Sequence, residues 1–171
     1  MMMKSTTANE ERMMAMLSYH NDQSIKDKYV ARFAEHRRLD QVIQGTGFDN
    51  GRGCFVGCTL DAYDHSRFPV ELGWPEWLAR LADAIFEGLP KDEAPQFGTD
   101  LLDSVPVGID LEPVRHLIAL RRIDRLIALQ HGNAGKHGDQ INDAINGAIS
   151  ALQIVRRCHE AEIGGNQCDW S

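Results

Sequence analysis

No apolar run in this sequence approaches the ~18 residues that a bilayer-spanning helix requires, so membrane-spanning classes are set aside. Cations are in deficit: 18 Lys and Arg stand against 25 Asp and Glu, giving a net charge of −7 and a pI near 5.4. That balance argues against a general nucleic-acid or anionic-membrane binder, because phosphate contacts need a basic surface; a local basic patch stays open. Cysteine is scarce too, with four in 171 residues, too few for a disulfide scaffold. The opening MMMKSTTANEERMMAML has neither an apolar core of roughly 7–15 residues nor a small-residue cleavage site, so no secretory signal is expected in it. The cysteines are therefore expected as thiols or metal ligands in a cytoplasmic protein. There is no G-x4-G-K-[ST] phosphate loop and no internal repeat, and strand signal is weak throughout.

What is present is helical periodicity. Hydrophobic content of 43% and charged content of 25% are ordinary for a globular chain of one domain. Thr7 with Glu10 fits a capping box and predicts a short helix over roughly 7–17. A second helix is expected from Ser24, as N-cap, to Gln44, with Tyr29, Phe33, Leu39 and Ile43 on one face. His36 and Asp40 fall in the middle of that face, an unusual place for a polar pair. The segment from Pro75 to Leu89 is cleanly periodic, with Leu78, Leu81, Ala82 and Ile85 on one face and Arg80, Asp83 and Glu87 on the other. Further helices are expected over Ala94–Ser104, from Asp110 to about Gln130, and over Asp139–Ile163, the last closed by Gly164 and Gly165. The fold expectation is all-α: a single-domain bundle of about six helices, with an irregular Gly/Cys-rich loop and room for one short hairpin. The boundaries are an extension or short helix over 1–19, one helical domain over 20–165 and a loose tail over 166–171.

The chemistry-bearing residues gather between Gly45 and Arg67. Five of the fifteen glycines lie in GTGFDNGRGCFVG, a density that breaks helix and strand alike. Around them stand Cys54, Cys58, Tyr63, His65, Arg52 and Arg67. Read as a thiol site, Cys54 is the nucleophile, activated by a helix beginning near Phe55, with His36 or His65 as base and Asp40 as orienter. Read as a metal site, Cys54, Cys58 and His65 supply three ligands, with zinc the cofactor such a set takes; a second C-x-x-C or H-x3-H element is missing, and no cofactor is favoured. Read as packing, Cys54, Val56 and Cys58 fill core space, and His36 and Asp40 satisfy backbone groups of the loop. A fourth reading has loop amides, Arg52, Tyr63 and Arg67 lining a pocket for a small anion. His131 and His137 flank a linker and are expected in solvent. His159 is expected in the core or as a helix cap, and Cys158 and Cys168 have no evident partner.

The runs QGTGF, GRGCFVGCT, YDHSR and ELGWPEWLARL resemble a family of short bacterial and phage proteins in which G-x-G-C-x-V-G-C-T precedes a histidine segment and E-L-G-x-P. The resemblance covers roughly 20–114. It implies a phage or prophage context and no reaction type. The functional expectation is a small cytoplasmic protein with a ligand-binding or thiol-dependent site built from the loop and the His36/Asp40 helix face. Whether it is an enzyme stays open. The alternative is a non-enzymatic regulator or inhibitor that binds a protein partner, or a second copy of itself, through an acidic or apolar helical surface.

Overall fold

The computed structural model of the chain describes residues 17–168. The Met-rich start, and with it nearly all of the helix expected over 7–17, lies outside the described residues. The protein is all-α, with seven α-helices and one two-stranded hairpin among those residues. Contacts divide the chain between Leu111 and Glu112 into two compact units.

The first unit opens with a single turn at Ser18–Asn21 and then helix α1 (Gln23–Arg38). Asp22 caps α1, its carboxylate accepting the Ser24 N–H at 2.8 Å, so the cap lies two residues before the Ser24 expected from sequence. Tyr29 and Phe33 are buried as expected, but the helix stops at Arg38 instead of Gln44. Asp40 takes φ 57°, a left-handed conformation that ends a helix. Beyond it the chain runs extended: the Ile43 N–H donates to the Gly53 carbonyl at 2.8 Å, and the Gly53 N–H to the Gln41 carbonyl at 3.0 Å. Backbone pairing with the loop thus replaces the last helical turns. Leu39, assigned to the core face, is 47% exposed in consequence.

The hairpin pairs β1 (Phe48–Asp49) with β2 (Arg52–Gly53). Helix α2 (Phe55–Leu60) follows at once, every residue of it buried. A one-turn 3-10 helix at His65–Arg67 leads into α3 (Phe68–Leu72), then α4 (Glu76–Gly88) and α5 (Ala94–Ser104). Phe55 is the centre of the core. Its ring lies 5.8 Å from Phe33, 6.1 Å from Phe68 and 6.5 Å from Phe97, so α1, α2, α3 and α5 meet on one side chain. Trp74, Tyr19 and Phe86 are fully buried around it.

Helix α4 exists where its periodicity places it, but its buried face is turned from the one expected. Leu78, Ala79, Ala82, Asp83 and Phe86 are inside, and Ile85 is 42% exposed. Ala79 and Ala82 are buried beside Asp83, which the Tyr63 hydroxyl and His65 meet from the segment after α2. Asp83, assigned to the solvent face, is therefore in the interior.

The second unit is a helical hairpin of α6 (Val114–Asn133) and α7 (Asp139–Ile163). Its interior is narrow: His116, Ile123, Ile145, Ile149 and Cys158 are buried, while Leu117, Leu126, Leu129, Ile141 and Ile154 are exposed. Two assignments made from sequence change here. Cys158 and Cys168 are joined by a disulfide. The Gly164–Gly165 turn, with Gly165 at φ 75°, brings the tail back along the helix end, and the Cys168 N–H donates to the Glu162 carboxylate at 3.1 Å. The segment up to Cys168 is therefore tied down. His159, in turn, meets His116 across the hairpin, with their Nδ1 atoms 2.9 Å apart.

That imidazole pair has a defined proton arrangement. The Arg115 guanidinium donates to His116 Nε2 at 3.2 Å, so that nitrogen is an acceptor. His116 Nδ1 then carries its proton and donates to a neutral His159. Burial first, then the electrostatic influence of His116 and Arg115, holds the His159 pKa below its ordinary 6.5, against a smaller opposing effect of Glu162. Because the folded-state pKa is depressed, this contribution is fully present above pH ~6.5 and is lost as pH falls from there through the depressed value. Urea unfolding of the α6–α7 hairpin at pH 7.5 and 5 is expected to show a lower midpoint at acid pH. The difference should be smaller in His159→Gln; an equal difference in that variant would remove the pair from the explanation.

Candidate functional site

The loop between α1 and α2 folds the way its glycines permit. The Gly47 carbonyl presses onto the start of α2, where a Cβ on Gly57 would collide with it. A Cβ on Gly53 would meet the same carbonyl at 2.5 Å, and one on Gly47 would meet the Tyr63 ring at the same distance. Three glycines are thus required by close approach alone. The result is a thin loop with two faces, one turned inward to α4 and one outward to the start of α5.

On the inner face Cys54 is the residue before α2, as the sequence suggested, and its side chain is 1% exposed. It meets Asp83 and Glu87 of α4: the Cys54 Sγ and one carboxylate oxygen from each acid lie within 4.8 Å of one another. Asp83 Oδ2 accepts from the Tyr63 hydroxyl at 3.3 Å and lies 3.1 Å from His65 Nε2. Asp83 Oδ1 is buried and receives no hydrogen bond. Glu87 Oε2 accepts the Gly45 N–H at 2.8 Å.

Burial, and after it the Asp83 carboxylate, push the Cys54 thiol up to about 12; the amides of Gly57 and Val56 at the start of α2 pull weakly the other way. The helix start beside Cys54 is therefore real but is outweighed. Cys58 is also pushed up to about 12, by burial first. Its S–H donates to the Gly53 carbonyl at 3.2 Å and toward the Gln41 carbonyl at 3.7 Å. Cys58 is thus spent on loop carbonyls and does not join Cys54 in a ligand group, so the set Cys54, Cys58 and His65 is not assembled. Both thiols are expected to resist alkylation at pH 8 in the folded chain and to react in urea, read by peptide mass spectrometry. With folded pKa values above the ordinary 9.0, they stabilise fully below pH 9 and lose that contribution as pH rises toward 12. The urea midpoint should accordingly fall between pH 8 and 10.

His36 is not brought to a cysteine. Its Nδ1 is 2.8 Å from Gln41 Oε1 and its Nε2 is 2.8 Å from Asp61 Oδ1. Asp61, not Asp40, is its acidic partner, because Asp61 ends α2 in a left-handed conformation that points it back at α1, where Arg32 also holds it at 3.2 Å. Arg67 is paired with Glu71, its Nε donating at 2.7 Å, so it is withdrawn from any anion pocket.

On the outer face Arg52 and Asp40 do share a site. They line a cleft of about 300 Å³ together with Lys91, Val42, Phe86 and Pro95. Neither Arg52 nor Lys91 has a salt-bridge or side-chain hydrogen-bond partner among the described residues. No protein-family model, curated protein or solved structure matches the chain. No helix among the described residues is long and apolar enough to cross a membrane.

Sequence reasoning reached Cys54, Tyr63, His65 and Arg52 but missed Asp83, Glu87 and Lys91. A usable signal was present in α4: Asp83 is flanked at helical spacing by Ala79, Ala82 and Phe86, which define a second apolar stripe through it.

Proposed function

We propose that the first unit is a binding module for a small anionic molecule, seated in the outer cleft with its carboxylate or phosphate between Arg52 and Lys91. The observation that carries this reading is a pair of cations, unpartnered among the described residues, flanking one cleft lined by the apolar, buried Val42 and Phe86. Pockets of this kind combine an apolar floor with a few convergent polar groups. Asp40 on the rim suits an ammonium or hydroxyl on the same ligand. The buried, protonated thiols of Cys54 and Cys58 speak for binding and not for thiol chemistry. A bacterial or phage context belongs to the same reading and is carried by the loop motif alone.

The test is an amide-NMR titration of the full chain with inorganic phosphate and with small mono- and dicarboxylates. Shifts confined to Val42–Gln44, Arg52, Lys91 and Ala94 are expected. Loss of one charge-assisted hydrogen bond in Arg52→Ala or Lys91→Ala should weaken binding on the order of tenfold. Absence of saturable shifts, or affinity unaltered in both variants, would end this reading.

A second reading rests on a larger groove of about 610 Å³ along α5, floored by Leu89, Phe97 and Leu101 and edged by Asp92, Glu93 and Asp100. Its charge fits a basic amphipathic segment of a protein partner. Asp92→Lys with Asp100→Lys should abolish such capture while leaving the anion titration intact.

A further inference from the structure

The inner face of the loop is a separate matter from the outer cleft, and it holds an arrangement that packing alone does not account for. A carboxylate inside a protein ordinarily has its oxygens satisfied, because desolvating an unpaired charge costs several kcal/mol. Asp83 departs from this. Its side chain is 9% exposed, and its two oxygens are treated differently. Oδ2 has the Tyr63 hydroxyl and His65 beside it, whereas Oδ1 has no donor. The Cys54 sulfur, one Glu87 oxygen and one oxygen of this carboxylate lie within 4.8 Å of one another. Three groups that bear negative charge when ionised thus converge, with the His65 imidazole beside Asp83.

We infer that Cys54, Asp83 and Glu87 form a binding site for a divalent cation of the zinc class. The donor types select the ion: a thiolate with two carboxylates suits a borderline cation, whereas magnesium and calcium take oxygen ligands only. The surroundings supply what ligands need from their neighbours. His65 and Tyr63 fix the Asp83 carboxylate through Oδ2 and leave Oδ1 free of hydrogen bonds from either. The Gly45 amide orients Glu87 in the same way through Oε2. Cys54 sits in the loop and the two acids one turn apart in α4, so the ion ties the loop to that helix. Glu87, the exposed member, closes the remaining distance by side-chain rotation. Three protein ligands leave one position of a tetrahedron open to water. Binding is balanced by release of the Cys54 thiol proton to solvent, one per ion.

The test uses the full chain, stripped with chelator and dialysed. Zn²⁺ binding is followed by calorimetry in buffers of different ionisation enthalpy, which counts the proton released. Co²⁺ is followed by its absorption. One site per chain that depends on Cys54 is expected, with a near-ultraviolet thiolate-to-cobalt band absent in Cys54→Ser and kept in Cys58→Ser. Cys54 is buried, so its variant could fail to fold; Glu87→Gln, at an exposed position, guards against this. Glu87→Gln should keep the helical circular dichroism of the parent and weaken Zn²⁺ on the order of tenfold or more, and His65→Ala should weaken it similarly through Asp83. Failure of the parent chain to bind Zn²⁺, a Co²⁺ complex without the thiolate band, or equal affinity in Glu87→Gln would each overturn the assignment. The anion titration is read on the metal-free chain, so either site can fail without the other.

Discussion

Gly57→Ala is expected to destabilise the first unit strongly, although intrinsic helix propensity favours the substitution by ~1 kcal/mol. Gly57 lies inside α2, and a Cβ there would collide with the Gly47 carbonyl. Backbone cannot yield as the end of a flexible side chain can, because the Gly47 carbonyl also accepts the Cys54 N–H at 3.1 Å and is part of the turn that carries β1. The net loss should reach the upper end of the ~1–3 kcal/mol typical of overpacking. The companion substitution Gly88→Ala places its Cβ in open space at the end of α4 and is expected to be neutral or to gain up to ~1 kcal/mol. Urea unfolding of the two variants beside the parent gives the comparison directly. Equal midpoints would mean that the loop does not close on α2. In that event the Cys54 geometry on which the inner site depends would be lost as well.

Phe55→Ala should cost more, about 3–5 kcal/mol, the range for removing a buried aromatic ring. Phe55 is fully buried and touches rings from α1, α3 and α5, so its removal leaves a void that no single helix can close. Total stabilities of small domains are about 5–15 kcal/mol. The variant should therefore be unfolded or nearly so at 37 °C, and its thermal midpoint by circular dichroism should fall far below the parent. Ile154→Ala, on the 56%-exposed face of α7, is the matched control and should stay within about 0.5 kcal/mol. A Phe55→Ala midpoint close to that control would place the centre of the core elsewhere.

Helix positions are the part most legible in the sequence. Helices α5 and α7 begin and end where the pattern and its punctuation predict, at Ala94–Ser104 before Pro106 and Gly108, and at Asp139–Ile163 before Gly164 and Gly165. Helix α2 starts at Phe55, where a helix is expected to begin, and the hairpin near the loop is likewise in its expected place. Differences arise wherever one element's conformation depends on another's. The end of α1 moves because Gln41 and Ile43 exchange backbone bonds with Gly53. The buried face of α4 turns toward Asp83 and Phe86, where Tyr63, His65 and Gln44 meet the helix, and away from Ile85. The partners of His36, Cys158 and His159 are 25, 10 and 43 residues away, in Asp61, Cys168 and His116.

Local sequence therefore determined which segments are helical, that the chain is all-α and acidic, and that the Gly45–Arg67 segment is irregular and rich in reactive groups. Those properties depend on propensities and periods that act within a few residues. Tertiary structure alone decided that Cys54 faces Asp83 and Glu87, that Cys58 serves loop carbonyls, that Arg52 and Lys91 line one cleft, and that the two C-terminal cysteines join. Each depends on how separate segments are brought together, at the loop by how closely Gly47, Gly53 and Gly57 allow the backbone to approach, and no helical or strand period records that distance.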